Sequence, residues 1–269
     1  METAIQTGSS GICISSSAAP PTNKSITVED LTRILSSTVK HDDANKAITF
    51  LGMLLNYTEE DQINMGFLAE SSTGKSYIPL ELCQYFPEED VMQIGYASPT
   101  SFFHDYARMV KTGSNKQTVF MVDLQKKILV FVDQPHDMLL QRLRPILSHD
   151  KKEIPLLITD RNKNKSLRTK HVLVRGYPTV IFSSAKFSLS DQEKTRLLLL
   201  SPETTQAKLK ESISLKIAKE SNRQAYKETM QKNAERQFLT QRVFAVKKAN
   251  VKHIIIPQEI SDKIRRLHA

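Results

Sequence analysis

Between residues 25 and 58 the apolar positions recur at helical spacing. In SITVEDLTRILSSTVK (25–40), Leu31, Ile34 and Leu35 fall on one face. Thr27, followed three residues later by Asp30, predicts the N-cap of that helix. A second helical segment is expected over 43–57. Beyond it the texture changes to short apolar runs. INMGFLA (63–69), VMQIGYA (91–97), KILVFVD (127–133), TVIFSSA (179–185) and LLLLS (197–201) read as strands. Helical segments separate the first three, and a strand–helix–strand order predicts a parallel sheet covered by helices on both faces. Two further runs, IPLLITD (154–160) and HVLVRGY (171–177), flank the basic RNKNKSLRTK and predict a β-hairpin inserted into that order. From 203 to 256 there is no Gly or Pro, and apolar residues return every four positions. Leu209, Ile213 and Ile217 form one set; Tyr226, Met230, Ala234 and Phe238 form another. One long helix or two shorter ones, packed on one side, is expected there.

The expected fold class is therefore α/β: a parallel sheet flanked by helices, an inserted β-hairpin and a helical C-terminal region. The divisions are a polar tail over 1–24, an N-terminal helical segment over 25–58, a core over 59–205 and a basic helical region over 206–269. No internal repeat is visible.

Composition narrows the function classes. Of 269 residues, 39% are hydrophobic and 25% charged, as in an ordinary globular chain. Two cysteines, Cys13 and Cys83, make neither a disulfide framework nor a metal cluster, which favours a reducing compartment. The seven histidines are scattered, with no pair at metal-ligand spacing. No apolar run is long enough to span a bilayer, and the first residues lack the basic start and apolar core of a secretory signal. A cytoplasmic protein without a membrane partner is the expectation. The net charge of +9 is localised: Gln206 to Ala269 holds 15 Lys+Arg against 6 Asp+Glu, and the rest of the chain balances. A basic C-terminal end suits either a polyanionic partner or a solvated lysine-rich helix.

The candidate chemistry starts in FLAESSTGKS. A phosphate-binding loop follows G-x-x-x-x-G-K-[ST] between a strand and a helix, so that backbone N–H groups converge on phosphate oxygens. Here the pattern reads Ala69, Glu70, Ser71, Ser72, Thr73, Gly74, Lys75, Ser76, with alanine in place of the first glycine. Gly74 would let the chain pass close to the phosphates, Lys75 would reach them, and Ser76 would hold Mg²⁺ through its hydroxyl. Ala69 can serve if its φ stays negative. The alternative is a turn of no function. KILVFVDQ delivers Asp133 at the end of an apolar strand, expected beside the first strand, where it would face Ser76 and complete an Mg²⁺ site. TVIFSSA ends in Ser183 and Ser184, placing a hydroxyl near a γ-phosphate or simply entering a polar turn. Arg196 precedes the last strand, where it would reach a neighbour's nucleotide or lie on the surface.

In this order the elements resemble the AAA+ branch of the P-loop ATPases over residues 60–205. FLAESSTGKS is similar to Walker A, ILVFVDQ to Walker B, TVIFSSA to the sensor-1 strand and EKTRLLLLS to the segment carrying an arginine finger. HDMLLQRLRPILSHDKKEI followed by a hairpin resembles the branch with a hairpin before sensor 1, which includes minichromosome-maintenance helicases and bacterial enhancer-binding ATPases. The resemblance implies ATP and Mg²⁺ as cofactors, hydrolysis, a homo-oligomeric ring and a helicase-, loader- or translocase-like action on DNA. Carried over by position, Lys75, Asp133, Gln134, Ser184 and Arg196 are the catalytic set. Arg161, Lys163, Lys165, Arg168 and Lys170 are the DNA contacts, five positive charges in ten residues. Three departures stand out. Gln134 occupies the place of a water-activating glutamate, and glutamine cannot accept a proton. Either hydrolysis would then be slow, or another carboxylate, such as Glu70, would be the base. Ala185 falls at the sensor-1 position, with Ser184 the nearest substitute. No sensor-2 arginine is identifiable. A slow nucleotide-gated switch acting on protein partners, or a binding protein with a degenerate loop, are the rival expectations.

Overall fold

The computed structural model describes residues 25–112, 117–161, 167–185, 194–255 and 258. The first helix, α1 (Val28–Leu35), opens with a complete capping box: Thr27 and Asp30 satisfy each other's backbone N–H groups. Next come α2 (Asp43–Leu54), continued by a 3₁₀ turn over Leu55–Tyr57, β1 (Asn64–Leu68) and α3 (Tyr77–Leu82). The middle of the chain adds β2 (Val91–Ile94), α4 (Ser101–Asp105), β3 (Arg108–Thr112), β4 (Gln117–Asp123) and β5 (Ile128–Phe131). It continues through α5 (Asp137–Leu147), β6 (Glu153–Arg161), β7 (Leu167–Arg175), β8 (Thr179–Ser184) and β9 (Leu197–Leu200). Three helices follow: α6 (Gln206–Ser221), α7 (Arg223–Lys232) and α8 (Ala234–Ala249).

The first sheet has the order β2-β5-β8-β1-β9, and every pairing in it is parallel. Its side chains alternate between two cores, as a pleated strand requires. Met65, Phe67, Ile128, Val130 and Ile181 enter a core with Leu31, Leu35, Phe50 and Met53 of α1 and α2. Leu239 and Val243 of α8 join this core, so the C-terminal helices close back on the N-terminal ones. Leu129, Phe131, Val180 and Phe182 point the other way, onto Phe102 and Phe103 of α4 and Leu139, Leu143 and Ile146 of α5.

Four expectations need correction. Helices alone do not cover the second face: a second sheet, β3-β4-β7-β6, sends Val122, Ile154, Ile158, Val172 and Val174 into the same core. The expected hairpin is present as β6 and β7, antiparallel from Glu153↔Arg175 to Arg161↔Leu167, but β7 also pairs in parallel with β4. The hairpin is thus the edge of a sheet rather than a free insertion. Next, β5 does not lie beside β1, because β8 intervenes. Asn64 accepts a hydrogen bond from the Val180 N–H at 3.2 Å, and β8, buried at all but its last residue, takes the central place. Finally, the described residues after 205 form three helices, not one or two. Asn222 and Asn233 end one helix and cap the next, accepting from the N–H groups of Ala225 and Arg236 at 3.0 Å. An asparagine side chain can restart a helix without help from Gly or Pro.

Gly176, just after β7, has φ +89, and a Cβ there would meet the Gln125 backbone nitrogen at 2.4 Å. Neither atom can give way without moving the β4–β5 turn. Gly176→Ala is therefore expected to lower stability by about 2 kcal/mol or more, read as a fall in the denaturant midpoint. Among the described residues no helix is long and apolar enough to cross a membrane.

Candidate nucleotide-binding site

Strand β1 runs out of the central sheet directly into the Gly-Lys-Ser loop. The Ala69 N–H donates to the Ser184 carbonyl at 3.3 Å, holding the start of the loop against the end of β8. Ala69 is not among the positive-φ residues, so its side chain is accommodated without strain. Ser72 (φ 67) and Gly74 (φ 90) make the two left-handed steps that fold the loop over. Thr73 Oγ1 donates to the Glu70 carbonyl at 2.9 Å, and Lys75 Nζ donates to the same oxygen at 3.1 Å. The Gly74 carbonyl accepts from the N–H groups of Tyr77 and Ile78, which starts α3. Pro79 fits there because the first helical turn needs no N–H from it. Glu70, Ser71 and Ser72 are exposed at the crest, and Lys75 and Ser76 are half-buried beneath it.

The loop also meets the end of β5, despite the strand between them. Ser76 Oγ donates to the Val132 carbonyl at 3.2 Å, one residue before Asp133, whose side chain is exposed. Gln134 follows, with its amide nitrogen donating to Asp137 Oδ1 at 3.3 Å across the start of α5. On β8, Ser183 is buried with no hydrogen-bond partner for its hydroxyl among the described residues, and Ser184 stands half-buried at the strand end in register with Leu68. Of the two serines, Ser184 is the one beside the loop. Arg196 lies at the other end of the sheet: Leu197 pairs with Asn64, the first residue of β1. Five strand residues separate it from the loop by about 15 Å, and its guanidinium donates to Ser148 Oγ. Within one chain Arg196 does not take part in the loop's chemistry.

A cavity of about 560 Å³ opens over the loop, lined by Thr73, Gly74, Ile78, Val39, Asp42 and Lys208 among others. Its outer wall is the turn between α1 and α2, an unusual stretch in which His41 and Asp42 both have φ 54. Fully buried Lys46 holds that turn, donating to the carbonyls of Val39 (3.3 Å) and His41 (3.1 Å) and to Ser36 Oγ. Tyr77 donates to the Thr38 carbonyl at 2.9 Å; burial, then the Glu81 charge, pushes its phenol far above the usual range and keeps that proton in place.

Sequence reasoning missed Lys208. It sits in the first turn of α6, where Thr205 caps the helix by accepting from the Lys208 N–H. Its ammonium pairs with Asp42 and donates to the carbonyls of Thr73 (3.1 Å) and Glu203 (2.9 Å). Three distant segments thus meet on one buried lysine: the α1–α2 turn, the loop and the start of α6. In a chain stretch with so many lysines, nothing in the sequence marks this one out.

The basic hairpin residues divide. Arg161 ends β6 and Arg168 lies in β7, opposite Asp160; Lys163 and Lys165 fall outside the described residues. Lys170 is not at the hairpin tip. It pairs with Ile158 inside the strand, and its ammonium lies over the Phe120 ring at 3.8 Å.

The site is thus an α/β arrangement: a five-stranded parallel sheet whose first strand feeds a Gly-Lys-Ser loop, with the strand end before Asp133 meeting that loop. No family model matches the sequence, and no curated protein is similar to it at a significant level. Among solved structures it is similar to JCV helicase at 12% identity and TM-score 0.42, over 84% of this chain and 61% of that one. It is similar to the C-terminal region of NrS-1 at 17% identity and TM-score 0.36, over 84% and 52%. A candidate ATPase from Cytophaga hutchinsonii gives 9% identity and TM-score 0.37, over 82% and 62%. The chain thus spans half to three-fifths of the length of these proteins.

Proposed function

We propose that the chain binds Mg-ATP in the loop cavity and hydrolyses it as an AAA+-like ATPase with a hairpin before sensor 1. The further reading is a ring-forming helicase-, loader- or translocase-like motor on DNA. One observation carries the nucleotide reading: the Ser76 hydroxyl and the strand end bearing Asp133 converge beneath a loop that opens into a cavity of about 560 Å³. That volume lies within the span of ordinary small-molecule sites.

The residues present fit the group. Gly74 brings backbone close to the cavity, and Lys75, held by the Glu70 carbonyl of its own loop, would exchange that bond for a phosphate oxygen. Ser76 and Asp133 would hold Mg²⁺, whose charge neutralises the phosphates when bound. Lys208 would add a second cation at the loop through Thr73. Ser184 would lie nearest the terminal phosphate, and Arg196 would serve a neighbouring subunit. Val39, Ile78 and Leu209 offer an apolar wall for a base.

Gln134 governs the rate. Its amide, donating to Asp137, can orient water but cannot take a proton from it. Turnover is therefore slow, which favours as second reading a nucleotide-gated switch acting on protein partners. Gln134→Glu supplies a base and is expected to raise turnover about a hundredfold, measured as phosphate release. An unchanged rate would mean that another carboxylate, such as Glu70, already does this work.

DNA contact is assigned to the hairpin. Lys163→Ala with Lys165→Ala is expected to weaken DNA binding and to reduce the slope of log affinity against log salt by about 2. Binding indifferent to both lysines would favour the switch.

A further inference from the structure

A second cavity, of about 690 Å³, shares Thr38 and Lys219 with the first but is walled by α3, α7 and α8. Its distinguishing residue is Arg236, 8% exposed and without an acidic partner among the described residues. Its Nη1 donates to Tyr85 Oη at 3.1 Å and, at 3.5 Å, to the hydroxyls of Ser37 and Thr38. Its Nη2 donates to Gln84 Oε1 at 3.2 Å, and the guanidinium lies over the Tyr85 ring at 4.5 Å. Every acceptor is neutral, and Nε has no acceptor among the described residues.

The nearest acid does not resolve this. Glu81 gives one oxygen to Lys219 at 2.9 Å and the other to the Gln84 amide at 3.0 Å. Gln84 therefore stands between Glu81 and Arg236, and the carboxylate is already matched by the Lys219 ammonium. Exposed Lys227 lines the same cavity, so its walls carry Arg236, Lys219 and Lys227 against Glu81 alone. The Tyr226 hydroxyl, also lining it, is buried without a hydrogen-bond partner among the described residues. A buried guanidinium is almost always paired with an anion, because the desolvated charge is otherwise too costly.

We infer that this cavity is a second ligand site, which takes a small phosphorylated molecule with its phosphate on Arg236. The planar fork matches phosphate oxygens, the phenol ring of Tyr85 backs it, and Lys227 supplies a second charge. The site is separate from the Gly-Lys-Ser loop and does not depend on the nucleotide reading. Through shared Thr38 and Lys219, a ligand here would still bear on the wall of the loop cavity.

The probe is inorganic pyrophosphate, titrated by calorimetry into the full chain carrying Lys75→Ala, so that the loop does not compete. Binding is expected in that background, about tenfold weaker when Lys227→Gln is added and lost when Arg236→Lys is added. Lys227 is exposed, so its variant folds even if the Arg236 variant does not. Absence of binding in the Lys75→Ala chain, or binding unaltered by Lys227→Gln, would overturn the assignment.

Discussion

Lys75→Ala is expected to weaken Mg-ATP binding about a hundredfold and to abolish measurable turnover. A charge-assisted hydrogen bond is worth about 1.5–3 kcal/mol, and an ammonium that reaches two phosphates contributes at the upper end of that span. About 3 kcal/mol is a factor of about a hundred in Kd. The folded protein itself should hardly change. Lys75 is half-buried, and among the described residues its side chain bonds to the carbonyl of exposed Glu70, which also accepts from Thr73. A thermal melt within a degree or two of the parent, beside lost affinity, would separate a ligand contact from a structural one. A variant that binds ATP normally would leave the loop as a turn of no function.

The largest effect on stability is expected from Asp42. Its carboxylate is buried and pairs with Lys208, whose ammonium is nearly so, and its other oxygen accepts from the Glu203 N–H at 2.7 Å and Asn45 at 3.0 Å. Asp42→Ala strands the lysine as an uncompensated charge, which costs about 3–5 kcal/mol. It also places alanine at φ 54, adding about 1 kcal/mol. At about 2–4 °C per kcal/mol for a chain of this size, the melting temperature should fall by about 10 °C or more. Pairing Asp42→Asn with Lys208→Met removes both charges and keeps a residue tolerant of left-handed backbone. The double variant should regain much of what Asp42→Ala loses. If Asp42→Asn and Lys208→Met simply add, the two side chains are not coupled, and the link between the α1–α2 turn and the loop has no energetic content.

How much of this could be read from the chain depends on whether the signal was local. The capping box at Thr27 and the apolar runs of β1, β5, β8 and β9 are local, and each appears where the pattern puts it. So is the Gly-Lys-Ser loop following a strand. The strand order is not local: β8 enters between β1 and β5 because of packing and the Asn64–Val180 bond, which no periodicity reports. The hairpin β3–β4 was missed because Met109 and Val110 are exposed, so the run lacks the alternation of a half-buried strand. The breaks at Asn222 and Asn233 were missed because asparagine is a weaker punctuator than Gly or Pro. Lys208 and Arg236 were invisible for another reason. Each is one cation among many in the C-terminal region, distinguished only by the distant segments that bury it: Asp42 and Thr73 for one, Tyr85 and Gln84 for the other.

The central claim is that the Gly-Lys-Ser loop and the cavity lined by its Thr73 and Gly74 are an ATP site that drives work. Its most direct test is ATP turnover by the purified chain, with and without single-stranded and duplex DNA, and with Lys75→Ala as control. The expected result is slow Mg²⁺-dependent turnover that rises with DNA and vanishes in Lys75→Ala. Turnover that is absent from the parent, together with no Mg-ATP binding by calorimetry, would contradict it.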